Sequence, residues 1–223
     1  MEHSLNTITL RGQLEHLPEF SHENHGHRFY RFSLEVARLS GAVDLLPVIA
    51  EETLLQELDP SAGMMLTVTG QIRSHNQYID GIRRLIIFVF AATVSVEDGP
   101  SINDVILEGP LCKEPNYRRT PLGREICDVM LAVPRGFRRA DYLPCILWGR
   151  TAQEAATRHV RDRVRIYGRL QSRIYTKLTE DGAVERTAYE ISALTAEFPE
   201  CDCPPSRDDS INDTAVPKPR RLP

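Results

Sequence analysis

The stretch from Asp141 to Lys177 opens with DYLPCILWG (141–149) and closes with RDRVRIYGRLQSRIYTK (161–177). Its second part alternates with period two. Val164, Ile166, Gly168, Leu170 and Ile174 fall on one face; Arg163, Arg165, Tyr167, Arg169, Arg173, Tyr175 and Lys177 fall on the other. Alternation of this length predicts a β-strand with one buried face. The outward face joins cations to flat rings with almost no carboxylate, which suits a ligand with a phosphate backbone and exposed bases. Arginine stems also cover half-buried sheets while their heads stay solvated, so the neighbouring residues have to decide. Upstream, Tyr142, Pro144, Ile146 and Trp148 alternate with Leu143, Cys145 and Leu147, a second strand that sets a Tyr and the chain's one Trp on the same face. Gly149 ends it. Thr151–Glu154 (TAQE) has the form of a capping box, which predicts a short helix from there to about His159. Strand, short helix and long twisted strand, in that order, match the middle of a five-stranded Greek-key barrel.

Around this stretch the chain has 223 residues, 41% of them hydrophobic, enough for one or two domains with cores. No apolar run approaches the ~18 residues of a membrane span. The start, MEHSLNTITLRG, lacks the basic-then-apolar pattern of a secretory signal. Cys112, Cys127 and Cys145 sit in strand-like runs as small hydrophobes, and the total of five cysteines is odd. Both facts point to a reducing cytoplasm. Cys201 and Cys203 (CDCPP) lack the partners a metal site needs. The net charge of −4 conceals a division. Residues 1–100 hold 7 Arg and no Lys against 13 Asp and Glu, a balance of −6. Residues 104–178 hold 15 basic against 8 acidic residues, a balance of +7. The basic half is the candidate for a polyanion.

The chain also says nearly the same thing twice. Leu10-Arg11-Gly12-Gln13-Leu14 is answered by Leu107-Glu108-Gly109-Pro110-Leu111, an offset of 97 residues. The same offset links Arg38 to Arg135, Asp44 to Asp141 and Pro47 to Pro144; after a one-residue slip Gly70 matches Gly168 and Ser74 matches Ser172. A period this long is a duplicated domain, not a solenoid unit. The expected strands are 5–14, 28–38, 44–50, 64–75 and 83–94 in the first copy, with a helix at 51–58. In the second they are 103–112, 124–134, 141–148, 163–176 and 184–197. The expected fold class is all-β with short helices: two tandem barrels at 1–98 and 103–198. Residues 199–223, rich in Pro, Asp and Arg, are expected to be a disordered tail.

The second copy resembles the bacterial single-stranded-DNA-binding protein family, whose domain is an OB-fold. The likeness rests on ILEGPLCKEPNYRRTPLG (106–123), LAVPR (131–135), DYLPCILWG (141–149) and RVRIYGRLQSRIY (163–175). It implies bases stacked on Phe137, Tyr142, Trp148 and Tyr175, all aromatic in a chain that is 7% aromatic. Arg118 and Arg119 match a basic–aromatic position, and the loop 135–140 adds Arg135, Arg138 and Arg139. Arg165, Arg169, Arg173 and Lys177 complete the expected nucleic-acid-binding set. In the first copy Ser40, Leu45, Glu51 and Gln77 stand at the ring positions, so it keeps the barrel and is expected to have lost its grip on DNA. Leu45, Ile49 and Met65 are expected on its surface, facing a partner subunit.

The resemblance implies a non-catalytic, largely sequence-independent binder of single-stranded DNA in replication, recombination or repair, in the bacterial cytoplasm at the nucleoid. It also implies a homodimer, which brings together four OB-folds. The family's acidic C-terminal tip is absent from a chain ending PKPRRLP, which leaves open how replication or repair proteins are recruited. Three alternatives stay open: an OB-fold adaptor, a replication-restart subunit and an RNA binder. No catalytic group, cofactor or metal is expected. His22, His25 and His27 (HENHGH) are read as part of a solvated polar loop, and no phosphate-cradling glycine loop or nucleophile motif is present.

Overall fold

Two-residue alternation builds most of the molecule. The computed structural model describes residues 5–79, 81–137, 139–179 and 182–199. The first half contains β1 (Asn6–Leu14), β2 (Glu19–Asn24), β3 (His27–Ala37), β4 (Val43–Glu51), β5 (Met65–Ile79) and β6 (Ile82–Val96). The second contains β7 (Ile102–Pro110), β8 (Asn116–Arg119), β9 (Glu125–Arg135), β10 (Arg139–Trp148), helix α1 (Gly149–Ala155), β11 (Arg163–Thr179) and β12 (Gly182–Glu197). Along β1 the inward positions Ile8, Leu10 and Leu14 are buried while Thr7 and Gln13 are exposed. Leu34, Leu46, Leu66, Val68 and Val89 join that core. Leu107, Leu131, Leu143, Leu147, Ile166 and Ile191 form its counterpart. Each such side chain contributes roughly 1.5–3 kcal/mol by leaving water.

The strands run in the order β2-β3-β4-β6-β5-β1-β7-β11-β12-β10-β9-β8, and β1 also pairs with β3. The first five-stranded ring is therefore β1-β3-β4-β6-β5, with β4 and β6 parallel and the other pairs antiparallel. The second repeats it with β10 and β12 parallel. It closes between β7 and β9 through Leu111 beside Leu131 and the Cys112 N–H donated to the Met130 carbonyl at 2.9 Å. Gly70 and Gly168 sit where each fourth strand bulges and crosses its neighbour. A Cβ there would lie 2.1 Å from the Phe90 oxygen and 2.3 Å from the Ser192 oxygen, so no side chain fits.

The barrels share edges. β1 and β7 pair antiparallel around Ile8 opposite Val105, so two edges that would otherwise be exposed cover each other. Reciprocal side chains flank this seam. Asp44, fully buried, accepts the Ser172 N–H at 2.7 Å and pairs with Arg38. Asp141, also fully buried, accepts the Ser74 N–H at 2.7 Å and pairs with Arg73 and Arg135 at 3.5 and 3.4 Å. These are the residues matched by the repeat: each copy's aspartate holds the other copy's serine.

Several local expectations are corrected. The helix predicted at 51–58 is a 3-10 turn at Glu52–Leu54 with the Leu55 and Leu58 N–H groups bonded back in short turns. Asp59 adopts φ +42° ahead of Pro60, and proline disfavours helix in the residue before it. Helix α1 begins at Gly149, with no side-chain cap. Gly149 at φ +53° turns the chain directly out of β10, so Thr151 lies within the first turn and the capping box does not form. The segments read as loops hold β2 and β8, which are exposed along nearly their whole length and so show no alternation of burial. His22 lies in β2, His25 and Gly26 form the hairpin tip with φ of +50° and +79°, and His27 starts β3. Ile174 is 68% exposed rather than buried, because β11 and β12 run beyond the barrel as a two-stranded arm. Leu45, Ile49 and Met65 are half-buried, and Ile49 faces the second barrel across a cleft. The side chain of Lys177, the whole of Arg138 and residues 200–223 lie outside the described residues.

Candidate nucleic-acid interface

Strand β10 is the spine of the site. Its inward residues Leu143, Cys145 and Leu147 are buried, which turns Tyr142 and Trp148 outward. Trp148 lies six positions beyond Tyr142, about 20 Å along a strand. The Trp148 indole N–H donates to the Ser192 hydroxyl of β12 at 3.1 Å. One edge of the ring is pinned while the ring stays 36% exposed. Arg119, Gly123, Arg124 and Glu125 line a shallow groove with it. Tyr142 donates its backbone N–H to the Ser74 hydroxyl of the first barrel at 2.7 Å, so this end of β10 abuts the seam. Tyr175 is 39% exposed on the β11–β12 arm, opposite Arg186.

Phe137 does not join the other rings. It stands in the β9–β10 loop at φ +60°, 98% exposed, and the cleft it lines is walled by the first barrel's His22, Asn24, Ile49, Phe88 and Phe90. The four predicted rings are thus separate stations. Among the described residues none stacks on another.

The outward face of β11 is not poor in carboxylate, contrary to the strand read alone. β7 and β12 bring carboxylates alongside it. Arg163 and Arg165 both bond Glu108, each at 2.8 Å, and Arg165 also reaches Glu197 at 3.2 Å. Burial pushes the Glu108 carboxyl up, but the bonds from Arg163 and Arg165 outweigh it and hold it below the ordinary carboxylate range. Arg118 grips Asp128 with two bonds, at 2.6 and 3.2 Å, and Arg119 bonds Glu125 at 3.0 Å. Arg135 is committed to Asp141. Arg173 lies 4.0 Å from Glu190 and is otherwise exposed. Arg139 and Arg169 have no carboxylate within reach among the described residues, and the Arg169 Nε is buried without an acceptor. Among the described members of the expected set, these two guanidinium groups have no carboxylate to leave before meeting a phosphate.

The first barrel carries rings that comparison of aligned positions misses. His22 stacks on Phe29 at 4.9 Å, Phe29 lies 5.8 Å from Phe90, and the Arg73 guanidinium sits over Phe90 at 5.9 Å. His75 meets Phe88 edge-on at 5.7 Å. The signal for this wall was alternation in β6: Phe88 and Phe90 point outward because Ile87 and Val89 are buried. The histidines have their own contacts. His27 Nδ1 lies 2.8 Å from Glu51 Oε1, and among the described residues no group of His, Cys, Asp and Glu is placed to hold a metal.

Two closed barrels of this strand order, one presenting separated rings and arginines along β10, define a tandem OB-fold protein with a face suited to a nucleic-acid strand. Residues 102–199 match the single-strand binding protein family. The chain is 37% identical over 103 residues to single-stranded DNA-binding protein B of Bacillus subtilis, spanning 43% of this chain and 88% of that protein. It is 36% identical over 81 residues to single-stranded DNA-binding protein 2 of Listeria innocua, covering 33% of this chain and 51% of that one. The chain belongs to the single-strand binding protein family. In fold, 88% of it superposes on 94% of the wild-type single-stranded DNA binding protein from Thermus aquaticus, with a TM-score of 0.72 at 23% identity.

Proposed function

We propose that this protein binds single-stranded DNA without catalysis and with little sequence preference, through bases stacked on exposed rings and phosphates neutralised by arginine. The observation that carries this reading is Trp148, pinned by Ser192 yet open to solvent beside Arg119 and Arg124. Every base has a π-face, so such a ring takes any sequence. Arg139 and Arg169 would release counterions from phosphates, and Tyr142 and Tyr175 would extend the stacking track. The family suggests service in replication, recombination and repair in the bacterial cytoplasm. No helix among the described residues is long and apolar enough to cross a membrane. The working particle is a homodimer of two double-barrel chains. The free sheet edges, β2 and β8, are short and charged, which disfavours edge-to-edge growth and directs association to the barrel faces.

Trp148 is the chain's one Trp, so its fluorescence reports directly on the proposed site. Titration with poly-dT is expected to quench it saturably. Fluorescence indifferent to poly-dT, with no binding by a second method, overturns the reading.

A further inference from the structure

We propose that the cleft between the barrels is a second station for the same single strand, in which the N-terminal barrel supplies a wall of rings. This rests on the single-strand reading above.

The cleft is open and holds about 530 Å³, within the roughly 300–1,000 Å³ usual for sites that take small organic groups. One wall is Phe88 and Phe90 of β6 with His22 of β2, and the other is Gly136 and Phe137 after β9 with Arg139 at the start of β10. Aromatic rings on both sides suit a base. The charge suits a phosphate. Arg73 and Arg135 share the single carboxylate of Asp141, and Arg139 has none among the described residues, so of the described groups three cations meet one anion that is itself fully buried. A half-chain with a balance of −6 has placed its Arg73 at this spot, over the Phe90 ring.

Phe137 is the second, independent sign. A bulky residue in the left-handed region costs about 1–2 kcal/mol, and a fully exposed ring returns no packing energy. The loop holds that ring over the cleft all the same. Such an outlier points to a ligand rather than to stability.

The path is continuous. β10 starts at Arg139 beside the cleft, passes Tyr142 at the seam and ends at Trp148. A strand seated on the second barrel therefore runs along β10 into the cleft, where the first barrel takes over. The first barrel is thus a contributor through residues that lie outside the positions its twin uses.

The test compares oligothymidylates of about 8 and about 30 nucleotides, within and beyond the roughly 4–16 that one OB-fold holds. Phe88→Ala and His22→Ala are expected to weaken binding of the long oligonucleotide about 5- to 150-fold relative to the short one, the equivalent of one lost stacking contact. A long-to-short affinity ratio that stays at the parent value in both variants overturns the proposal, while Trp148 quenching in the same samples leaves the single-strand reading standing. Absence of quenching in the parent, with no binding by anisotropy, overturns both. Photo-crosslinking of the parent protein with an iodouracil-substituted long oligonucleotide needs no variant to fold. Crosslinks are expected in the peptides containing His22 or Phe88, and their absence alongside crosslinks at Trp148 overturns the proposal.

Discussion

Under the proposed function, Trp148 and the arginines around it do different physical work, and salt separates them. Stacking is not ionic, so Trp148→Ala is expected to weaken poly-dT binding by about 1–3 kcal/mol at low and high salt alike, with Trp148→Phe recovering most of the loss. Anisotropy titrations across a salt series check this. Arg169 has no carboxylate partner among the described residues, whereas Arg165 is held by Glu108 and Glu197. Each phosphate neutralised on a single strand adds about −0.7 to the slope of log K against log salt. Arg169→Ala is therefore expected to make the slope shallower by about that amount, and Arg165→Ala by clearly less, because Arg165 has to leave two carboxylates first. Equal changes in the two variants would show that those ion pairs do not hold in solution. Glu108 adds a pH dependence. Its folded pKa lies below the unfolded one, near 4.3. Its contribution is therefore present above that value and lost as pH falls through the lower, folded pKa. Denaturant melts at pH 7 and pH 3 are expected to show a smaller pH-dependent loss of stability in Glu108→Gln than in the parent.

Strands and seams depend on positions where a side chain is either barred or indispensable. Asp141 accepts the Ser74 N–H and two guanidinium groups with no exposure to water. Asparagine keeps one oxygen to accept the Ser74 N–H but leaves two part-buried guanidinium groups without their counter-charge, and losing a hydrogen bond to a charged group costs about 1.5–3 kcal/mol. Asp141→Asn is expected to destabilise the protein by about that much in chemical denaturation. Asp44→Asn should do the same, because the arrangement is reciprocal. A loss under 1 kcal/mol in both would mean that the clamps are dispensable. Because β1 pairs with β7 and the aspartates cross the seam, either half expressed alone would lose its neighbour's cover. Point variants in the full chain are therefore the sound way to divide labour between the barrels.

The whole molecule presents two barrels paired side by side, with exposed rings and arginines spread from the second barrel across the seam. One chain supplies two OB-folds, and closed two-fold symmetry is the commonest route to four. Sedimentation equilibrium at micromolar concentration is expected to give twice the 25.3 kDa chain mass. A monomer would place the complete binding surface on one chain, and a tetramer would show that duplication has not replaced assembly.

Strand identity, the duplicated plan and the outward direction of Tyr142 and Trp148 were legible in the sequence, because a period-two pattern fixes the face of every residue once one face is apolar. The glycines were legible for a related reason: a crossing of backbones tolerates no Cβ. Three things were not legible. β2 and β8 carry no alternation, since neither of their faces is buried. The ion pairing of the β11 arginines depends on which strands lie beside it, and Glu108 is 55 and 57 positions away from its two partners. The place of Phe137 over the first barrel follows from the β1–β7 seam, which brings the loop of one copy to the face of the other. Periodicity is a property of one strand. Charge neutralisation and composite clefts are properties of neighbours distant in the chain, and only the closed, paired barrels decided them.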